Sequence, residues 1–294
     1  YNDRMVECYD KYIEYASRPI ERVEIPFEDS FLPGFLALPH EPKEGEKFAC
    51  AIGIDGMDGS KEIMCSMYGD KMLERGMASF VYDGPGQGEC PVNGLYVTKD
   101  NHMAAAQAIY DWLIQHPHID KDRLVIFGIS FGSFFGMQAA AQLGDKVKGA
   151  ALSFVCHEPG CHTIFNMAAP TFKLRFMFMS GYDDEDEFDK FISEFSLLPI
   201  LDQVACPVLI QGGEDEELSP IECSEDVANK LNVPRKLVWY EGERHAIGGG
   251  PASYLGENWY SMLADWCLDR VNDKPAPNER VRINGFGQQE VTPY

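Results

Sequence analysis

A nucleophile, a base and an acid can be picked out of this chain by residue type and spacing. Ser130 stands in "GISFG", Gly128 to Gly132, between the apolar run "LVIF" and the helix-forming run "FGSFFGMQAAA". G-x-S-x-G at a strand-to-helix junction carries its central residue through a sharp turn, and glycines two positions either side relieve the crowding. The hydroxyl is then held at the carboxyl end of the strand. The next N–H, on Phe131, opens a helix, where it can stabilise a developing oxyanion. A serine hydroxyl alone is a weak nucleophile and needs a general base that is itself oriented by an acid. In the order Ser, acid, His, the candidates are Asp215, after the apolar strand "PVLIQGG", and His245, after "LVWYEGER" and 30 residues further on. Of seven histidines, only His245 follows a late strand in this way. Glu214, Glu216 and Glu217 crowd Asp215 and stay open as the acid. Asp215 is preferred because it lies three positions after Gly212, at the mouth of the strand. A second oxyanion donor is expected in "GIDGMDGSKE", where Gly56 lets the chain pass close to a substrate carbonyl and Met57 supplies the N–H. A plain tight turn is the competing reading of that stretch.

Such residues must be carried by elements, and short β-like runs alternating with helical patterns supply them. The alternation implies an α/β fold with a mainly parallel central sheet flanked by helices. "RVEIPFED" and "FLPGFLALP" read as a hairpin, "ACAIGID" and "MASFVYD" as strands breaking into Gly-rich loops, and "DRLVIFGIS", "VKGAALSFV", "CPVLIQGG" and "RKLVWY" as later strands. Residues 1–18 carry helical spacing. Residues 19–156 and 202–272 form the expected core. From 157 to 201 the alternation lapses into aromatic, Met-rich text with the acidic run "YDDEDEFD", which reads as a small inserted cap. Residues 273–294 are polar and Pro-rich and are expected to be an irregular tail.

Composition narrows the chemistry. The 294 residues suffice for one large domain with an insertion, and the formal net charge of −22, with no Lys/Arg cluster, argues against nucleic acid and anionic membranes as partners. The expected partner is a small neutral or apolar substrate, and a homodimer is compatible with the sequence. No apolar run approaches the ~20 residues that span a bilayer, and no signal segment opens the chain, although it begins at Tyr1 without a Met and an upstream segment is open. Nine scattered cysteines suit reduced core thiols, so a cytoplasmic setting is expected. "CHEPGCH" offers Cys156, His157, Glu158, Cys161 and His162, but zinc sites usually pair two separated ligand couples, and no metal is expected. Glu158, His157 and Phe165 are instead taken as substrate-facing residues at the entry to the cap. "YDDEDEFD" lacks the glycine and spacing of a calcium loop and reads as a solvated face. "DGPGQGE" lacks the Lys of a phosphate-binding loop.

"DGMDGSKE", "DGPGQGE", "GISFGS", "GGEDEELSP" and "GERHAIGG" occur in the order found in α/β-hydrolases. The wording of the first two resembles most the group containing 2,6-dihydroxypseudooxynicotine hydrolase, the fungal yellowish-green polyketide-shortening hydrolases and the fermentation-respiration-switch esterase-like proteins. The resemblance covers about residues 20–271. It implies an α/β-hydrolase fold with a small cap, and a cofactor-free serine hydrolase whose relatives cleave esters or the carbon–carbon bond beside a ketone. It also implies that residues 1–18 are the remnant of a helical segment that helps cover the site. A peptidase or acyltransferase on the same triad, and a non-catalytic binding protein on the same fold, are the rival readings.

Overall fold

The computed structural model describes residues 2–294. Ten strands form one sheet: β1 (Ile20–Phe27), β2 (Ser30–Ala37), β3 (Phe48–Ile54), β4 (Ala78–Tyr82), β5 (Ile119–Ile129), β6 (Ala150–Ser153), β7 (Val208–Gly213), β8 (Arg235–Tyr240), β9 (Glu279–Ile283) and β10 (Gln289–Pro293). Their order is β1-β2-β4-β3-β5-β6-β7-β8-β9-β10, parallel from β4 to β9 and antiparallel at both ends. Parallel strands with helices on both faces must be apolar on both faces. "FACAIGI" in β3 and "ASFVY" in β4 meet that demand, with every residue buried.

All the parallel strands run the same way, so their carboxyl ends share one edge. The loops 55–60 after β3, 83–90 after β4, Ser130 after β5, the insertion after β6, 214–220 after β7 and 241–250 after β8 therefore meet there. In α/β sheets this edge is where ligands bind. The insertion runs as a π-helical turn Thr163–Met167, a helix Pro170–Ser180, a helix Glu185–Ile192 and a 3-10 turn Leu198–Gln203. Phe165 and Phe176 pack on Phe131, Phe195 on Phe134, and Phe188 on Phe165, with ring centroids 4.7–6.1 Å apart. This aromatic seam fixes the cap to the helix Phe131–Leu143 that follows the candidate nucleophile. The acidic run opens the helix Glu185–Ile192: Asp184 accepts the Glu187 N–H at 2.9 Å, and the first-turn carboxylates stay exposed.

The tail is a correction. Residues 279–293 are not irregular but a hairpin that extends the sheet, with β9 parallel to β8 and β10 antiparallel to β9. "ERVRI" alternates, which puts Val281 and Ile283 into the core beside Val238 and Tyr240. The Pro-rich text at 275–277 is only the link to it. The helix Asn2–Glu14 lies beside β2, with the Tyr9 ring 4.7 Å from that of Phe35. Among the described residues, no helix is long and apolar enough to cross a membrane.

Candidate active site

β5 ends at Ile129, and Ser130 turns the chain at φ 58, ψ −128, before the helix Phe131–Leu143 begins. Positive φ is uncommon for a residue with a Cβ and persists only where the surroundings hold it. Here they do so by close approach: a Cβ at Gly132 would lie 2.2 Å from the Ile54 carbonyl oxygen, and one at Gly128 2.2 Å from that of Gly132. The two glycines of the motif are thus required by backbone contacts. The Ser130 N–H donates to the Ser153 carbonyl at 2.9 Å, tying the turn to β6.

Ser130 Oγ lies 2.8 Å from His245 Nε2, and His245 Nδ1 lies 2.8 and 2.9 Å from the two carboxylate oxygens of Glu216. A carboxylate only accepts, so Nδ1 carries the proton and Nε2 is left to accept one from Ser130. The Glu216 side chain is 0% exposed, against 13% for His245. Asp215 does not take part, and that expectation is corrected: its N–H donates to the Glu243 carbonyl at 2.8 Å, continuing the ladder beyond β7 and β8, and its side chain is exposed. The extra residue before the turn, and the extra methylene of Glu, bring the next carboxylate under the imidazole. The neighbours are engaged elsewhere. Glu214 pairs with Arg282, and Glu217 accepts the His245 N–H at 2.9 Å.

The His245 loop is held by a residue the sequence reading passed over. Glu243, 2% exposed, accepts the N–H groups of Gly248, Gly249 and Gly250 at 2.8–3.1 Å and the Ser253 hydroxyl at 2.6 Å. Burial alone would raise its carboxyl, but the Ser253 hydroxyl and the loop amides outweigh that and hold it below the usual range.

On the other side, the loop after β3 presses on Ser130: a Cβ at Gly56 would sit 3.0 Å from Ser130 Cβ. Met57 follows in this loop, and Phe131 heads its helix, where its N–H has no intrahelical acceptor. Behind them "DGSKE" and "DGPGQGE" meet in an internal charge cluster. Lys61, 0% exposed, lies 2.7 Å from Glu62, 2.9 Å from Asp83 and 2.5 Å from Glu89, and Arg22 adds a two-pronged contact to Glu89 at 3.1 and 3.2 Å. The Lys61 N–H also donates to Asp83 at 2.7 Å, so the carboxylate ties the two loops together. Removing one partner of a buried pair leaves an uncompensated charge. Lys61→Met is expected to lower the unfolding free energy by about 3–5 kcal/mol in urea titration, and a loss below about 1 kcal/mol would show the cluster to be incidental.

The residues expected to face substrate line neither cavity next to Met57 and His245. His157 is 1% exposed, and burial pushes its pKa down to about 4, so it is a neutral core residue. Glu158 spends its carboxylate on the Thr163 N–H and hydroxyl at 2.7 and 3.1 Å, holding the start of the cap. Phe165 belongs to the aromatic seam, 3% exposed. Two open spaces lie at this edge of the sheet, one reaching Met57 and the other His245, and neither has Ser130 in its walls. A cavity of about 560 Å³ has Met57, Ile63, Val92 and Phe178 in its walls, and one of about 490 Å³ has His245, Met167, Phe172 and Arg244. The cap helix Pro170–Ser180 borders both.

A strained serine at a strand-to-helix turn, a histidine from the loop after β8 and an acid from the loop after β7, on a mostly parallel sheet, define an α/β-hydrolase. Residues 69–274 match the model of the prolyl oligopeptidase family, and the chain belongs to that family. The 2,6-dihydropseudooxynicotine hydrolase of Paenarthrobacter nicotinovorans is 25% identical over 274 residues, 88% of this chain and 69% of that one. Hydrolase acrC of Aspergillus aculeatus is 24% identical over 304 residues, 86% of this chain and 70% of that one. The crystal structure of the 2,6-dihydroxy-pseudo-oxynicotine hydrolase has the same fold, with a TM-score of 0.82 and 24% identity over 94% of this chain and 75% of that one.

Proposed function

We propose that the protein is a serine hydrolase that works through an acyl-enzyme on a small, largely apolar or aromatic substrate. One observation carries the reading: the unbroken line from Ser130 Oγ through the His245 ring to the buried Glu216 carboxylate, with steps of 2.8 Å each. His245 takes the Ser130 proton as the oxygen attacks a carbonyl, and Glu216 stabilises the imidazolium. The amides of Met57 and Phe131 hold the oxyanion. With an ester, the imidazolium protonates the departing alkoxide. With a ketone, the C–C bond breaks, its electron pair stays on the leaving carbon, and His245 protonates that carbon. In both cases water, deprotonated by His245, then releases the acid. The apolar preference is supported by Met5, Met57, Ile63, Val92, Phe178 and Met179 in the walls of the 560 Å³ cavity, where Asn2, Asp58 and Arg175 also stand. The name of the Paenarthrobacter relative, a pseudooxynicotine hydrolase, supports small-molecule hydrolysis over peptide cleavage.

The test is labelling and product analysis together. A fluorophosphonate is expected to attach to Ser130 and nowhere else, with turnover of short aryl esters. Incubation with aryl diketones is expected to give a carboxylic acid and the shortened ketone if the carbon–carbon reading holds. Fast ester turnover with untouched diketones would leave an esterase alone, and an unlabelled Ser130 would remove the proposal.

A further inference from the structure

Gly56, which precedes Met57, has both of its peptide groups fixed by side chains. Its N–H donates to Asp55 Oδ1 at 2.8 Å. Its carbonyl accepts a hydrogen from Gln87 Nε2 at 2.9 Å, and the Asp55 carbonyl accepts the other at 2.7 Å. Gln87 is 2% exposed, and its own carbonyl oxygen accepts the Gly84 N–H at 3.0 Å, which sets the orientation of the amide. Every polar atom of this buried side chain is therefore used, and two of its three bonds go to the loop that touches Ser130.

The C=O and N–H of one trans peptide unit point in opposite directions. Gly56 C=O and Met57 N–H belong to the same unit, so the hydrogen bond that turns the carbonyl towards Gln87 turns the N–H away from it. The peptide also lies against the nucleophile, since a Cβ on Gly56 would stand 3.3 Å from Ser130 Oγ. We propose that Gln87 is a positioning residue for the oxyanion hole: its amide holds the peptide plane that aims the Met57 N–H at the developing charge. Without it, the peptide is free to rotate, and the charge meets a carbonyl or nothing. The inference rests on the reading of Ser130 as nucleophile and of Met57 as a donor. It gives "DGPGQGE" a task in turnover, by way of a loop 30 residues upstream.

Gln87→Met keeps the length of the side chain and removes both donors, and Gln87→Asn keeps the amide on a shorter stem. For the Met variant, kcat on an aryl ester should fall about 10²-fold, the scale for losing one oxyanion donor, with KM within about 3-fold. Binding of a trifluoromethyl ketone, whose serine adduct places an oxyanion in the hole, should weaken by a similar factor. Fluorophosphonate titration should still count one reactive Ser130 per chain, and the Asn variant should lie between Met and wild type. A merely structural residue would instead lower the number of titratable sites and leave kcat per site and ketone affinity unchanged, which would overturn the proposal. So would kcat within about 3-fold of wild type in a folded Gln87→Met. If that variant does not fold, Asn decides by the same readouts. Failure of the underlying reading is separate: the wild-type protein would then not be labelled at Ser130.

Discussion

Ser130→Ala is expected to fold like the parent and to hydrolyse aryl esters ~10⁶-fold more slowly, the scale on which a triad loses kcat when its nucleophile is removed. The variant keeps a Cβ, so the turn at φ 58 is no more strained than before, and the Ser130 N–H bond to Ser153 is a backbone contact that survives. Only Oγ goes, and with it the 2.8 Å contact to His245 Nε2. Circular dichroism and melting temperature should be unchanged within a few degrees. Wild-type-like kcat in the variant would exclude covalent catalysis at this residue, and a small residual rate is expected from the amides that remain.

The second large effect separates two adjacent carboxylates. Glu216→Gln should lower kcat by ~10³–10⁴ while leaving the fold intact. The isosteric amide fits the same buried space, but its NH₂ can donate to His245 Nδ1, which favours the tautomer with the proton on Nε2. That nitrogen then faces Ser130 as a donor and cannot take its proton. Asp215→Asn should cost less than about 3-fold, because the Asp215 side chain is in solvent and its structural contact is made by the backbone. The measurement is kcat for the two variants on one ester. A severe Asp215→Asn with a mild Glu216→Gln would mean that the loop after β7 rearranges during turnover.

The meeting of Ser130 and His245 was legible because their signals are local. Two glycines around a serine at a strand-to-helix junction describe a backbone shape, and the structure shows both glycines pressed against carbonyl oxygens. A histidine placed after a late strand is fixed by topology alone. Which carboxylate meets His245 was not legible, because four consecutive ones differ only in where a turn points them. That direction was set by the Asp215 N–H continuing the ladder to Glu243, a contact 28 residues away. His157, Glu158 and Phe165 were misplaced for a related reason: polar and aromatic text at the mouth of a cap reads alike whether it meets substrate or the cap's own core. The hairpin β9–β10 was hidden by composition, its five alternating residues diluted by Pro and Asn on either side. Lys61 and Gln87 stood inside the quoted motifs, yet their partners lie on other loops, so spacing along the chain carried no sign of either role.

That hairpin has a further consequence, for how copies of this protein behave towards one another. β8 carries Leu237, Val238 and Trp239, and one side of its backbone is paired with β9. A chain cut after Val271 would present that row of N–H and C=O groups to any passing strand, next to a strongly apolar sequence, which is a template for uncontrolled edge-to-edge assembly. With β9 and β10 in place the sheet is bordered instead by a strand exposed at every residue, in which Gln289, Glu290 and Thr292 flank the one apolar residue, Val291, and Pro293 has no N–H to offer. Residues 289–293 thus act as a selvedge: they add little to the core, and they cover an edge that would otherwise be open to a neighbouring strand.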